Sequence, residues 1–195
     1  MKLTWKTFIY LFVGVMVMIN ANGCSSEVRL DKYSSKDPAL NISMNYISGW
    51  RYNECRCSYD SYAQVLFYPF GGKNKSLAVM VVTVKNSSKI SLSPLNLETV
   101  VDDLLAKRMK FKDAAVLSKS NIQFLNMPAT SIELTYKTLE NFLNVHSKLI
   151  PVKEKIIVFK KGENFYFLRY QNSAVEFDKY SKAFDRILKT FRFKD

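Results

Sequence analysis

Three stretches of this chain are apolar on both faces of an extended strand, a pattern that a sheet with one face in water cannot accommodate. Residues 77–84 read LAVMVVTV. Residues 155–161 and 164–171 flank Gly162-Glu163, a two-residue hairpin signal with Gly in the first position. Ile156 and Val158 alternate with Ile157 and Phe159 in the first arm, and Phe165 and Phe167 with Tyr166 and Leu168 in the second. Strands of this kind belong in the middle of a sheet that is covered twice.

The remaining segments supply the cover. Leu40, Ile42, Met44 and Tyr46 alternate with polar residues, the period-2 signature of a strand with one buried face. Ser48-Gly49-Trp50 then makes a turn. A second strand over 62–68 stops at Pro69 and Gly71-Gly72, and 131–137 alternates again with Ile132, Leu134 and Tyr136 inward. A helix starting between Ser93-Pro94 and Asn96 carries Val100, Val101, Leu104, Leu105 and Met109 at helical spacing. Residues 116–126 read as irregular or weakly extended. The last helix opens on Ser173-Ala174-Val175-Glu176, a capping-box pattern, and carries Phe177, Tyr180, Phe184, Ile187, Leu188 and Phe191 at steps of three and four. The chain is 195 residues long, 48% apolar and 14% aromatic, enough for one domain with a substantial core, and its 6 Gly and 5 Pro leave little room for a long linker. The fold expected is α+β: a three-layer α/β/α sandwich with a central, mostly antiparallel sheet.

The N-terminus reads as an address. Lys2 and Lys6 precede an uncharged run over residues 8–19, twelve residues long. A membrane-spanning helix needs about 20, so the run suits the apolar region of a signal peptide. Asn20-Ala21-Asn22-Gly23-Cys24 follows, small residues ahead of a Cys as in bacterial lipoprotein signals. The reading adopted is a signal over 1–23, removed to leave a lipid-modified Cys24 at the new N-terminus. Ordinary secretory cleavage near Gly23, leaving Cys24 a free thiol, is the alternative. Two or more acyl chains, at about 0.8 kcal/mol per buried CH₂, give lasting membrane attachment. Residues 24–38, CSSEVRLDKYSSKDP, are polar and aperiodic and are expected to form a flexible tether with a reach of about 20 Å ahead of a domain over 39–195. The expected location is the cell membrane or outer membrane, facing the periplasm or exterior.

The early strand running into Gly49-Trp50, the Asn126-Met127-Pro128-Ala129 turn into a strand, and the hairpin ahead of Phe177-Asp178-x-Tyr180…Ile187-Leu188-x-Thr190-Phe191-x-Phe193 together resemble the PsbP family. The resemblance spans about residues 40–194 and rests on packing motifs. It implies a fold shared with the yeast nuclear-import factor Mog and with many bacterial lipoproteins. It also implies an accessory role, since PsbP is an extrinsic subunit of photosystem II that supports calcium and chloride retention and its cyanobacterial relatives are lipid-anchored. Where many relatives carry Gly before the Pro-Ala, this chain has Asn126, a residue that tolerates the left-handed region.

Chemistry-bearing residues are sparse. Cys55-Arg56-Cys57 would put both thiols on one face of a strand; a strained disulfide, a soft-metal site and free thiols are the three readings. His146, the single His, has no acid near it in sequence. Asp102-Asp103, Asp178 and Asp185 sit among Lys and Arg on helices and read as solvated faces. No nucleophile, metal or phosphate-binding motif is present, so no catalytic residue, cofactor or metal is expected. The broad signal is charge, +12 for the chain. Lys179, Lys182, Arg186 and Lys189 recur opposite the apolar stripe of the last helix; Lys107, Arg108, Lys110 and Lys112 follow the first helix; Lys153, Lys155, Lys160 and Lys161 cluster at the hairpin. Outside the cytoplasm and without a nucleic-acid module, nucleic acid is not the expected partner. Anionic lipid headgroups and a membrane protein complex are. The expected function is a non-enzymatic, lipid-anchored accessory protein, with a binding module for a small or lipidic ligand as the alternative.

Overall fold

The computed structural model describes residues 27–57, 62–70, 77–87, 95–140 and 146–194; the signal segment, Cys24, Gly71-Gly72 and Ser93-Pro94 lie outside them. In chain order the described elements are β1 (Leu30–Ser34), β2 (Ile42–Ile47), β3 (Trp50–Cys57), β4 (Tyr62–Pro69), β5 (Val79–Asn86), α1 (Leu97–Arg108), β6 (Lys112–Phe124), β7 (Met127–Leu139), β8 (Leu149–Lys161), β9 (Asn164–Ser173), α2 (Phe177–Thr190) and β10 (Arg192–Phe193). They form a seven-stranded sheet in the order β3-β4-β5-β9-β8-β7-β6 and a three-stranded sheet in the order β1-β2-β10. Every pairing is antiparallel.

The doubly apolar segments take the interior of the large sheet. β5, β9 and β8 occupy its third, fourth and fifth places, and alternation along them sends side chains into two separate cores. Met80, Val82, Val84, Ile157, Phe159, Leu168 and Tyr170 join a core with the small sheet and α2. Ile132, Leu134, Ile156, Val158, Phe165 and Phe167 join a second core with Val101 of α1. The hairpin turns at Gly162, with φ of 57°, and pairs Lys161 with Asn164. Asn126 does adopt the left-handed region, at φ 61°, beside Leu125 at φ 51°, in the two-residue turn joining β6 to β7. Gly49, at φ 80°, lets the chain leave the small sheet and enter the large one within two residues.

The first core is aromatic. Phe159 of β8 stacks on Tyr166 of β9 at 5.1 Å and meets Phe191, Phe193 and Phe124. Tyr33 of β1 lies edge-on to Phe67 of β4 at 5.0 Å, and Trp50 edge-on to Tyr180 of α2 at 5.3 Å. These rings join the small sheet and α2 to the large sheet.

Four expectations change. The flexible tether over 24–38 is wrong for its described part: residues 30–34 are β1, paired to β2 from Leu30↔Ile47 to Ser34↔Ser43. Only Tyr33 of that strand is deeply apolar and buried, so no alternation marks it in the sequence. The folded body therefore begins before residue 39. Of the two readings of residues 116–126, the irregular one gives way to the extended one, because β6 runs over thirteen residues to Phe124; it is an edge strand exposed along most of its length, which removes the apolar period. The capping box is only half formed. Glu176 N–H donates to Ser173 Oγ at 3.3 Å, but the helix begins at Phe177. Finally, the α/β/α description is too simple: the architecture is mostly antiparallel sheet with two helices, and α2 shares its side of the large sheet with β1, β2 and β10.

Candidate functional site

Of the two described helices, α1 is the less amphipathic. Asn96 caps it, its side chain accepting from Thr99 N–H at 2.8 Å, and Val101 is its only fully buried residue. What secures its far end is a charge. Arg108, the last helical residue, reaches inward and donates from Nε to Glu154 Oε2 at 2.8 Å and from Nη2 to Oε1 at 3.1 Å. Arg169 of β9 donates from Nε to the same Oε1 at 2.6 Å. The Glu154 side chain is entirely buried, at 0% exposure, with Arg108 at 15% and Arg169 at 25%. Tyr136 of β7 closes the cluster, donating to Gln171 Oε1 at 2.9 Å with its oxygen 3.4 Å from Glu154 Oε2. Phe111 stacks on the Tyr136 ring at 4.8 Å. Burial first, then the Glu154 charge, push the Tyr136 hydroxyl far above its usual range.

Two arginines on one buried carboxylate use its lone pairs. The cluster is a clasp for α1, and Glu154 has no free oxygen to abstract a proton or hold a metal. No group of three or more His, Cys, Asp or Glu side chains placed to hold a metal occurs among the described residues.

Beside the clasped helix lies a cleft of about 530 Å³, between Leu97, Glu98 and Val101 of α1 and the β6–β7 hairpin. Leu97 and Val101 give it apolar wall; Lys119, Asn121 and Thr130 give it polar groups. Lys119 also pairs with Asp102 of α1 at 3.2 Å. Sequence reading missed this cleft, because β6 carries no apolar period to mark it as a wall.

The residues singled out in sequence are scattered by the fold. Cys24 lies outside the described residues. Cys55 carries a free thiol that accepts from Gln64 Nε2 at 3.1 Å, whereas the side chain of Cys57 lies outside what the structure describes. His146 is exposed in the turn before β8. Asp103 pairs with Lys107 at 2.7 Å on the solvated face of α1, whereas Asp185 of α2 reaches the half-buried Lys155 of β8 at 2.7 Å. The Lys107–Lys112 cluster loses Arg108 to the clasp. The hairpin cluster is split between the two sheet faces: Lys155 sits beside α2, whereas Lys160 reaches Leu95 O next to α1 at 3.3 Å. On α2, Lys179, Lys182 and Lys189 remain exposed, while Arg186 donates to Val28 O at 3.0 Å and pairs with Glu27 at 3.0 Å.

With this antiparallel seven-stranded sheet, a helix and a small sheet on one face and a helix on the other, the chain is similar in fold to solved structures of PsbP and Mog1p. Cyanobacterial PsbP (CyanoP) from Synechocystis sp. PCC 6803 superposes with a TM-score of 0.56 at 13% identity, over 89% of this chain and 97% of that one. The Saccharomyces cerevisiae Ran-binding protein Mog1p gives 0.52 at 9% identity, over 87% and 97%. LpqN of Mycobacterium tuberculosis, described as involved in cell envelope biogenesis, gives 0.50 at 12% identity, over 87% and 93%. No family model matches the sequence, and no curated protein matches it. The likeness is one of fold.

Proposed function

We propose that this chain is a lipid-tethered accessory protein outside the cytoplasm that binds or assists a membrane complex and performs no catalysis. The observation that carries the reading is the uncharged run over 8–19 leading through Ala21 and Gly23 to Cys24, ahead of a body that packs by itself. Support also comes from the fold neighbours, one a cyanobacterial PsbP and another a protein of cell envelope biogenesis. Association with a photosystem II-like complex belongs to this proposal through the PsbP likeness alone. The occupied state of Glu154, with two arginines on it, favours a binding role over acid–base chemistry.

The test is crosslinking in intact cells followed by pull-down, comparing the native chain with Cys24→Ala. The expected result is a membrane protein partner captured by the native chain and lost from the variant. Capture at background level by both would refute the reading.

The cleft beside α1 favours a second reading, a site for a small or lipidic ligand. Its volume of about 530 Å³ falls within the range of ligand pockets, and its lining mixes apolar wall with a few polar groups. Native mass spectrometry of the purified protein is expected to reveal a co-purifying ligand that Leu97→Trp, at the mouth of the cleft, displaces; an unliganded protein under gentle conditions would sink it.

A further inference from the structure

The tether that the proposed function invokes has a defined end on the folded body. Glu27 and Val28 are both held by Arg186, through the ion pair at 3.0 Å and the hydrogen bond to Val28 O at 3.0 Å. Three residue steps separate Cys24 from Glu27. Whatever their conformation, three steps span at most about 11 Å. An acylated Cys24 therefore holds the bilayer surface within about 15 Å of Arg186, less than two Debye lengths at physiological salt, not at the end of a long leash.

The surface around that point is cationic. Lys182 and Lys189 stand one turn to either side of Arg186 on the outward arc of α2, and Lys179 lies a turn beyond Lys182. All three lysines are exposed, as are Arg29 and Lys32 on the adjoining N-terminal segment and β1. The acids on the same arc are Asp178 and Asp185, and Asp185 is engaged by Lys155 at 2.7 Å. Helix α1, its clasp and its cleft lie across the large sheet, in the opposite core.

We propose that the outer face of α2 is the surface this protein lays against an anionic lipid bilayer, with Lys179, Lys182 and Lys189 at the headgroups and the α1 cleft turned away from the membrane. The proposal rests on the acylation of Cys24 argued above. It commits to lipid headgroups as the occupant, because the short connection to Cys24 and the charge of the face point to the same plane.

The full chain, processed in a lipoprotein-competent bacterium, would be reconstituted into phosphatidylcholine vesicles with or without about a third phosphatidylglycerol, then acetylated with a soluble amine reagent under single-hit conditions and read by peptide mass spectrometry. Lys107 and Lys110 serve as internal references. The expected result on anionic vesicles is acetylation of Lys179, Lys182 and Lys189 slowed about threefold or more relative to soluble Cys24→Ala protein, with the references unchanged. Raising salt to 1 M, where the Debye length falls to about 3 Å, should relax that protection while the protein stays on the vesicles. Equal labelling of both sets on vesicles that the protein floats with would overturn the orientation and leave the tether standing. Protection identical on pure phosphatidylcholine would overturn the headgroup contact. A chain that carries no acyl mass and does not float refutes the tether, and the orientation with it.

Discussion

Glu54, on β3, shows what one carboxylate does at a junction between sheets. It accepts from Tyr33 Oη at 2.8 Å, from Lys36 N–H at 3.0 Å and from Asp37 N–H at 2.9 Å, and so joins the loop after β1 to the large sheet. Burial works against its charge, but the two backbone donors and the Tyr33 hydroxyl outweigh that and hold it below its ordinary 4.5. A carboxyl with a lowered folded-state pKa adds stability that is present above 4.5 and lost as pH falls through its folded value. Glu54→Gln is therefore expected to cost about 1–2 kcal/mol at pH 7 and to flatten the stability profile below pH 4.5. Urea titrations at stepped pH check this; an unchanged acid slope would count against it. Glu154 is the more severe case. Glu154→Gln leaves two inward arginines without their anion and is expected to cost about 3–5 kcal/mol. Replacing Arg108, Glu154 and Arg169 together by Met, Leu and Met should recover most of that loss in the same denaturation measurement, because the desolvation penalty goes with the charges.

At the scale of elements, α2 and β6 are opposites. α2 buries Phe177, Ala183, Phe184 and Ile187 and covers one face of the large sheet, over about 21 Å for its 14 residues. A chain ending at Glu176 would expose the aromatic seam around Phe159 and Tyr166 and is expected to aggregate on expression, as sedimentation of the lysate would reveal; a soluble, cooperatively folding product would contradict the assignment of the main core. β6 has little to lose. Leu117, at 52% exposure, lies where the pairing with β7 shifts register, so Leu117→Lys is expected to change stability by no more than about 0.5 kcal/mol in chemical denaturation. The same contrast governed legibility. α2 was plain in sequence because its stripe is deep, whereas β6 and β1 lack alternation, the one by exposure on both faces and the other because Tyr33 alone anchors it.

For the whole molecule, the question is how a packed body meets a membrane. Among the described residues no helix is long and apolar enough to cross one, so attachment by the proposed route falls to Cys24. Cys24→Ala is expected to move the protein from the membrane pellet to the soluble fraction, with an unchanged melting temperature, because both described cores are assembled from residues at and after Val28. A variant that stays in the pellet through carbonate extraction would argue for another anchor. With the body held at Glu27, the two sides of the large sheet take different tasks in this proposal: α2 and the small sheet toward the bilayer, the clasped helix and its cleft toward the surrounding compartment.

Period and composition alone determined the doubly covered sheet, the Gly162 hairpin, the terminal helix and the absence of a recognisable catalytic motif, because each of these is a local pattern repeated along the chain. The PsbP-like fold was also legible, since its motifs are packing motifs. What only the tertiary structure decided is everything that depends on residues distant in sequence. Arg108, Glu154 and Arg169 look like ordinary surface residues, and Tyr136 like an inward core residue, until three strands and a helix end bring them together. The lysine runs looked like patches until strand alternation sent their members to opposite faces. The polar segment after Cys24 looked like a tether until β2 gave it a partner and Arg186 gave it an end. Local patterns encode where a side chain points; which other side chain it meets is set by the pairing of strands, and that is a property of the fold.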